Sequence, residues 1–345
     1  MLYLLLFFLQ VTRKVSALFI QALQQPDSLH AMQLLAANTM ALWLNKALPS
    51  VTASPGSRAA ATVRQQLQGL QLLQHLALSM DAAAARLTAA ATALADTPAM
   101  QKGATRADRT ADYMNAESFC KGLLQIFQLA SCVLSSTGMF SVPAALPAAP
   151  AAVRITLSVF QDCKKPLPAS PGALRAALRA TVALVAALQD DEDVPNGTLQ
   201  SCPAASELLQ MPEFASCLAI ASVAATLGLD VSGGDAARGA ASSDTDEGSS
   251  TGRQVLGAGG QQQPPQQVGS RSGASSSSRG LGNGVRLDSL TPLSCSLFDI
   301  LGVSKETALQ LAGLAKEEGF NTPAPLQKVL EIYSCVLEYQ VSVHD

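Results

Sequence analysis

The residues that could carry out acid–base or metal chemistry are few in this sequence and widely spaced. The three histidines are His30, His75 and His344, and no two of them lie at the spacing of a shared metal site. The sequence contains no HExxH metalloprotease motif, no phosphate-binding P-loop and no GxSxG nucleophile motif. We therefore expect His30 and His75, which fall in predicted helices, to lie on helix flanks outside any active site.

An acidic run from Asp190 to Asp193 could bind a calcium ion. Counted as an EF-hand loop from Asp191, however, the sixth position is Asn196 instead of glycine and the twelfth is Cys202 instead of glutamate. The glycine permits the sharp turn of such a loop and the glutamate supplies two ligand oxygens, so the motif fails. We expect a solvated helix end here, with weak, nonspecific cation binding as the alternative.

The seven cysteines indicate reduced thiols in an intracellular protein. Their number is odd, no two lie within four residues of each other, and no CxxC pair occurs. A disulfide framework or a zinc ribbon is therefore not expected. Four of the cysteines fall in predicted helices among apolar neighbours and are expected to be buried structural thiols instead of nucleophiles: Cys120, Cys132, Cys217 and Cys335.

Three other short motifs do not indicate a functional site in this sequence. Residues Gly257 to Gly260 form a glycine-rich stretch, but no predicted strand precedes it, so a nucleotide-binding loop is not expected. The sequon Asn196 to Thr198 matters only if the chain is secreted. Ser243 precedes several acidic residues and could accept phosphate, although a plain polar linker is the favoured interpretation. The sequence thus assigns no catalytic, cofactor-binding or metal-ligating residue and no cofactor.

The composition favours an all-α fold. Hydrophobic residues make up 48% of the chain, but aromatic residues only 4%, and Ala and Leu, which are good helix formers, dominate. Leu-Leu-Gln recurs at irregular intervals and no fixed period appears, so an irregular multi-helix bundle or an irregular α-α stack is expected in place of a regular repeat array. The net charge is only −3 and the basic residues are scattered, so nucleic-acid binding is not expected.

Residues 1–25 begin with a run of nine apolar residues that resembles a membrane anchor. A nine-residue helix is only about 13 Å long, and a longer span would bury Arg13 and Lys14 in the bilayer. An amphipathic helix of a cytoplasmic protein is therefore expected, with one apolar stripe along Leu4, Phe8, Val11, Val15, Leu18 and Ala22. A cleaved or organelle-targeting segment, an interfacial membrane helix and a truncated gene start are the alternatives.

Apolar residues recur with helical spacing along much of the chain. The clearest stripe runs from Val63 to Met80 and predicts one continuous helix, which the Ala-rich residues 82–95 either extend or follow as a separate helix. A preceding helix is predicted over about 29–48, followed by a loop over 49–57. Its apolar face is predicted to carry Met32, Leu35, Thr39, Leu42 and Trp43.

Later segments continue the helical pattern. A loop is predicted over 97–110, a helix from near residue 112 to near 138, a short helix over 153–160, and a helix over about 206–227 that Pro212 could break. Another helix carries the buried stripe Leu174, Leu178, Val182, Val185 and Leu188. Near the C-terminus, Ser304 is predicted to begin a helix that Gly319 ends.

The predicted domain organisation has three parts. A helical body spans residues 1–230, and a Gly/Ser/Gln-rich stretch over 231–286 is predicted to be disordered, because it has too few apolar residues to offset the entropy of ordering. Two or three short helices over 287–345 follow and could dock on the body.

The sequence favours a non-catalytic helical protein-interaction or scaffold protein, whose partner is another protein. Charged residues make up only 14% of the chain, so its surface is poor in charge and suited to a partner. Grooves between helices would hold an apolar segment of that partner. The first alternative is an enzyme or lipid-binding protein whose site is assembled from distant residues. The second is a protein attached to a membrane, or imported into an organelle, through residues 1–25.

Overall fold

The computed structural model of the protein describes residues 2–24, 30–97, 104–135, 140, 142–163, 165–189, 207–239, 292–322, 327, 329–334 and 336–337. Within these ranges the secondary structure is α-helical with short turns and no β-strand, which confirms the all-α prediction. The helices are Leu2–Gln24 (α1), His30–Ala53 (α2), Arg58–Gly69 (α3), Leu72–Ala95 (α4), Ala104–Leu134 (α5), Val142–Ala145 (α6), Ala149–Phe160 (α7), Pro171–Gln189 (α8), Pro212–Gly239 (α9), Pro292–Leu301 (α10) and Lys305–Glu317 (α11).

The helices form an irregular α-α stack of two layers. Helices α1, α4, α7 and α9 follow one another in the first layer, and α2, α5, α8 and α11 follow one another in the second. Each helix of the first layer also packs against one helix of the second, giving the pairs α1–α2, α4–α5, α7–α8 and α9–α11. One continuous hydrophobic core runs through all four pairs.

The C-terminal helices belong to this same stack. Helix α11 packs on α9 and α8, and Phe298, Val303 and Leu311 are buried in the common core. Helix α9, which pairs with α11, comes earlier in the chain. The two helices are separated by a segment that includes residues 240–291, which lie outside the described residues. The second helix of the fourth pair is thus supplied by the far end of the chain.

The disordered stretch predicted over 231–286 stays a prediction: α9 is drawn through Gly239. The remainder of that predicted stretch, residues 240–286, lies outside the described residues.

The stripe from Val63 to Met80 occupies two helices instead of the single one predicted. Helix α3 ends at Gly69, and Gln71 has a left-handed φ of +50° immediately before α4 begins. Glycine has a low helix propensity, so a break there is inexpensive. The apolar residues on both sides of the break still face the core, and α4 continues through the Ala-rich residues to Ala95.

The predicted apolar face of α2 points mostly to solvent. Met32, Leu35 and Leu42 are 56%, 62% and 63% exposed, and only Trp43 of the predicted large residues is buried. The core face consists mainly of other residues, several of them alanines: Ala37, Met40, Ala41, Leu44 and Ala47. Small residues face α5 because the two helices approach closely there: a Cβ atom added to Gly122 would lie 3.4 Å from Ala37 Cβ.

The apolar stripe predicted for α1 faces the core in part: Val11 and Val15 are half-buried against it. Leu18, expected in the apolar stripe, is 64% exposed, whereas Phe19 and Ile20 are buried. Arg13 and Lys14 are exposed, as the amphipathic pattern predicts. Among the described residues, no helix combines the length and apolar character needed to cross a membrane.

Several helix boundaries differ from the prediction, and several agree with it. Helix α2 continues past Pro49 to Ala53, and α5 begins at Ala104, so both predicted loops are shorter than expected. The short helix before residue 160 is present as α7, and α9 begins at Pro212 after a short helical turn. The predicted face of α8 is buried at Leu174, Leu178, Val185 and Leu188.

The caps of α11 match the prediction. The Ser304 hydroxyl accepts a hydrogen bond from the Thr307 backbone N–H at 3.2 Å. Gly319, with a φ of +73°, ends the helix, and the Phe320 N–H returns to the Ala315 carbonyl at 2.8 Å. A serine hydroxyl and a glycine without Cβ strain suit these two positions, which is why the sequence locates this helix well.

Candidate functional site

The residues that the sequence singles out for chemistry do not converge in the structure. His75 lies on α4, partly exposed at the edge of a cavity of about 330 Å³, and α2 begins at His30. The acidic run 190–193, the sequon, Ser243, Gly257–Gly260 and His344 lie outside the described residues. In the ranges that the structure describes, no three His, Cys, Asp or Glu side chains lie close enough to hold a metal ion.

The described cysteines differ in exposure. Cys120 and Cys217 are buried, Cys132 is half-buried and Cys163 is exposed. Burial raises the pKa of Cys120 to about 12 and that of Cys132 to about 11, and it also raises the pKa of Cys217. These three thiols are thus protonated at neutral pH, a property of structural cysteines and not of nucleophiles. Cys335 lies outside the described residues.

A buried polar cluster surrounds the loop between α7 and α8. The Asp162 carboxylate, 3% exposed, accepts hydrogen bonds from the Ser304 N–H and hydroxyl, both at 2.7 Å, and from the Thr307 hydroxyl. A carboxylate with three donors in a buried position is strongly held. Asp162 therefore fixes the start of α11 on the body.

The same loop is held on its other side by α5. The Glu117 carboxylate accepts a hydrogen bond from the Ser170 N–H at 2.8 Å, and the Tyr113 hydroxyl donates one to the Leu167 carbonyl at 3.4 Å. Lys165 donates to the Ser158 carbonyl, and burial lowers its pKa despite the nearby Asp162 and Glu117 carboxylates. Each of these groups has an internal partner, so the cluster positions the loop.

A separate site lies in the second layer of the stack. It is a groove of about 560 Å³ between α2, α5 and α8, which we call the amide groove. Its lining consists of Asn38, Ala41, Leu42, Asn45, Gln125, Gln128, Leu129 and Arg179. Four carboxamides, three aliphatic side chains and one guanidinium therefore share one surface.

The residues that line the groove from α2 share one face of that helix because of their spacing. Leu35, Asn38, Leu42 and Asn45 follow one another at intervals of three, four and three residues, which places them on one exposed face of the helix. On α5, Gln125, Gln128 and Leu129 face them in the same way. In the sequence, the spacing of these leucines and asparagines shows that they share one side of α2. It does not show whether that side faces solvent or the core.

Three of the four amides in the groove have no partner within the described part of the chain. Gln128 Nε2 donates to the Ala176 carbonyl of α8 at 3.0 Å. The side chains of Asn38, Asn45 and Gln125 make no hydrogen bond to any residue that the structure describes. Each of these three carries both donors and an acceptor that a ligand can use.

Arg179 closes one side of the groove and is the one charged residue among those lining it. Its Nε and Nη2 atoms donate to the two carboxylate oxygens of Glu318, each at 2.9 Å. Arg175, one turn earlier on α8, pairs with Glu317 and Glu318. The end of α11 thus fixes the orientation of a guanidinium that lines the groove.

A third cavity, of about 300 Å³, lies between α4, α7 and α9. Arg154 and Asp81 form a two-bond ion pair across it, at 2.8 and 2.9 Å, and Glu213 lines the same cavity. This pair is about half exposed and joins two neighbouring helices of the first layer. The cavity contains no unpaired cation or nucleophile among its described lining residues, so the amide groove is the stronger candidate.

The chain was compared with protein-family models, with curated proteins and with solved structures, and none of them matches. The chemistry of the amide groove is therefore the basis for a proposal about function. Its lining residues come from three helices that are distant in sequence, and their packing creates the site.

Proposed function

We propose that this chain is a non-catalytic protein-interaction protein and that its amide groove binds an extended segment of another protein. The observation that carries the proposal is the set of three unpartnered carboxamides, Asn38, Asn45 and Gln125, beside the exposed side chain of Leu42. Such a surface offers hydrogen bonds and apolar contact in one open groove.

An extended peptide segment has the chemistry that these amides can recognise. Every peptide unit carries one N–H donor and one C=O acceptor, and an extended segment leaves both free of intramolecular partners. A carboxamide carries a complementary donor and acceptor on one side chain. Pairing between the two gives affinity that depends little on the sequence of the ligand.

Leucine side chains in the groove supply the apolar part of the interaction. Leu42 is 63% exposed and Leu129 is half-buried beside it. Covering an exposed leucine with an apolar side chain of the ligand contributes about 1–2 kcal/mol before the entropy of binding is subtracted. An apolar residue of the partner is therefore expected to sit over Leu42.

The lining of the groove favours binding over the alternative of catalysis. Amide, aliphatic and guanidinium groups form hydrogen bonds, apolar contacts and ion pairs, but they do not act as nucleophiles or general bases near neutral pH. A lipid-binding protein would need a deep apolar cavity, whereas this groove places four carboxamides and a guanidinium beside its three aliphatic side chains.

A library of random peptides displayed on phage tests the proposal directly. The full-length chain is immobilised, bound phage are selected, and synthetic copies of the enriched peptides are titrated against three proteins by fluorescence anisotropy. These proteins are the wild type, the groove variant Leu42→Asp and the control variant Leu78→Asp. Leu78 is 71% exposed on α4, in the other layer, so its substitution adds the same charge away from the groove.

The expected result is a set of peptides whose Kd rises about tenfold or more in Leu42→Asp, because a buried unpaired carboxylate opposes binding. The same peptides should bind Leu78→Asp like the wild type. Both leucines are exposed, so neither substitution should alter the urea midpoint of the fold. Selection of no peptide that depends on Leu42 would refute the proposed function.

A further inference from the structure

We infer that a second copy of this chain binds to the exposed face of α2, in a two-fold symmetric dimer whose axis passes beside Asn38. This inference goes beyond the proposed function and does not depend on it. It follows from the exposure, the spacing and the charge of the residues that form this face.

The exposed face of α2 is apolar and uncharged over about four helical turns. From position 32 to position 45, the exposed residues are Met32, Leu35, Asn38, Thr39, Leu42 and Asn45. Met32, Leu35 and Leu42 are each more than half exposed. The exposed faces of α5 and α11, in contrast, carry charged residues such as Asp108 and Lys305. Because the solvent face of a helix ordinarily carries charge, an uncharged face with large apolar side chains indicates a contact surface.

The spacing of this face is that of a seam between two paired helices. Leu35, Asn38, Leu42 and Asn45 follow one another at intervals of three, four and three residues. These are the intervals between the core positions of a coiled coil. Within the described chain, α1, α3 and α5 pack against other sides of α2 and leave these residues exposed. The seam therefore has the geometry to receive one more helix.

A second copy of α2 fits this seam because the seam is self-complementary. When two copies of α2 lie antiparallel with Asn38 beside the two-fold axis, Leu35 of each copy faces Leu42 of the other. Asn38 of each copy then faces its own counterpart. Two carboxamides can each donate to the oxygen of the other, so the pair satisfies itself. An asparagine pair in an otherwise apolar seam fixes the register of the helices.

The charge of the face favours a second copy as the occupant. Residues 32–45 contain no Asp, Glu, Lys or Arg. The first charged residue beyond them is Lys46, which in the antiparallel pairing faces Ala31 of the other copy. The pairing therefore brings no two like charges together and leaves no charge buried without a partner. A strongly acidic or basic partner would find no complementary charge on these residues.

The contact is short, so the dimer is expected to depend on concentration. A stretch of 14 helical residues is about 21 Å long, whereas a stable complex buries roughly 800 Å² on each partner. We expect a weak dimer with a Kd of roughly 10–100 μM. Leu42 and Asn38 also line the amide groove, so a second copy and a bound protein segment exclude each other.

Sedimentation equilibrium of the full-length chain tests the dimer at concentrations from about 5 to 500 μM, which bracket the expected Kd. Three proteins are compared: the wild type, Leu35→Asp and the control Leu78→Asp. Leu35 does not line the groove, and Leu78 is exposed on α4 in the other layer. Both replaced side chains are exposed, so neither substitution should alter the fold, which circular dichroism checks.

The mass of the wild type should rise from that of one chain toward that of two. Leu35→Asp should raise the dimer Kd about tenfold or more, because the pairing would bury its carboxylate against a leucine. Leu78→Asp should behave like the wild type. A wild type that stays monomeric throughout, or a dimer that Leu35→Asp leaves unchanged, would overturn the inference.

A double variant tests the antiparallel register. Leu35→Lys and Leu42→Glu should each weaken the dimer when made alone. Combined in one chain, they place opposite charges face to face at both ends of the antiparallel seam, so the double variant should dimerise at least tenfold more tightly than either single variant. A parallel pairing would place like charges face to face instead. A double variant no tighter than the single variants would overturn the proposed pairing.

The outcomes separate the dimer from the proposed function. Peptides that depend on Leu42 but bind a chain that stays monomeric would overturn the dimer and leave the proposed function standing. A dimer that Leu35→Asp disrupts, in a chain that selects no Leu42-dependent peptide, would support the dimer and overturn the proposed function.

Discussion

Replacement of Asp162 by alanine should detach the C-terminal helices from the body of the protein. Asp162 lies between α7 and α8, and its carboxylate accepts three hydrogen bonds from Ser304 and Thr307 at the start of α11. Alanine removes all three acceptor contacts without adding bulk. The donors on α11 would then be buried with no partner at this position.

The size of the effect follows from the burial of these groups. Leaving a buried donor unsatisfied costs about 1–3 kcal/mol, and the Ser304 and Thr307 hydroxyls can turn toward other acceptors whereas the Ser304 N–H cannot. The alanine variant should therefore lose about 1–3 kcal/mol for the unsatisfied Ser304 N–H and about 1–2 kcal/mol more for the two weakened hydroxyl hydrogen bonds, or about 2–5 kcal/mol in total. The Asp162→Asn variant, which keeps one acceptor oxygen, should lose about 1–2 kcal/mol. The total stability of a folded domain is about 5–15 kcal/mol, so this loss is large.

Asp81 provides a matched control. Its carboxylate also accepts two hydrogen bonds, from Arg154, but this ion pair is exposed at the surface, with 45% of the Asp81 side chain accessible. An exposed ion pair contributes about 0–1 kcal/mol. Asp81→Ala should therefore cost far less than Asp162→Ala, although both variants remove an aspartate that pairs with another part of the chain.

Two measurements check this prediction. Urea titration followed by circular dichroism gives the change in unfolding free energy for each variant. In a second experiment, a site for a sequence-specific protease is inserted within residues 240–286, and gel filtration shows whether the C-terminal fragment stays with the body after cleavage. The fragment should remain bound in the wild type and in Asp81→Ala and dissociate in Asp162→Ala. Equal losses for Asp162→Ala and Asp81→Ala, or a fragment retained in all variants, would show that Asp162 does not hold α11 on the body.

Two further predictions concern helix packing and thiol accessibility. In urea titrations, Gly122→Val should lower the unfolding free energy by about 1–3 kcal/mol, because the valine side chain would press on α2. Gly313→Ala on α11 has open space around it and should raise the unfolding free energy by about 0.5–1 kcal/mol. Changes of the same sign in the two variants would contradict this packing. In the native protein, iodoacetamide should alkylate the exposed Cys163 well before the buried Cys217, whose pKa is raised, as followed by peptide mapping. Similar rates for the two cysteines would contradict the burial of Cys217.

The candidate site was largely hidden from sequence analysis. Leu35 and Leu42 have the spacing of a core face, which predicts that they are buried, but the structure exposes both. Periodicity shows that residues share a side of a helix, but it does not show which side another helix will cover. The close contact between Ala37 of α2 and Gly122 of α5 shows which side of α2 is covered instead.

The buried polar contacts were equally difficult to predict. Asp162 and Ser304 lie 142 residues apart in the chain, and Glu117 and Ser170 lie 53 apart. No local pattern relates such pairs, because each side chain by itself is an ordinary charged or polar residue of a turn or helix. Only the folded chain makes them hydrogen-bonded partners.

Features that depend on residues close together in the chain were predictable from the sequence. Helix-forming composition and helical spacing indicated an all-α protein, and Ser304 and Gly319 marked the ends of α11. Tertiary structure alone decided which face of α2 is buried, the pairing of α9 with α11, and the meeting of α2, α5 and α8 at the amide groove. Helix caps and helix propensities act within a few residues, so they can be recognised in the sequence. Which face of a helix is buried depends on how closely a helix from a distant part of the chain can pack against it.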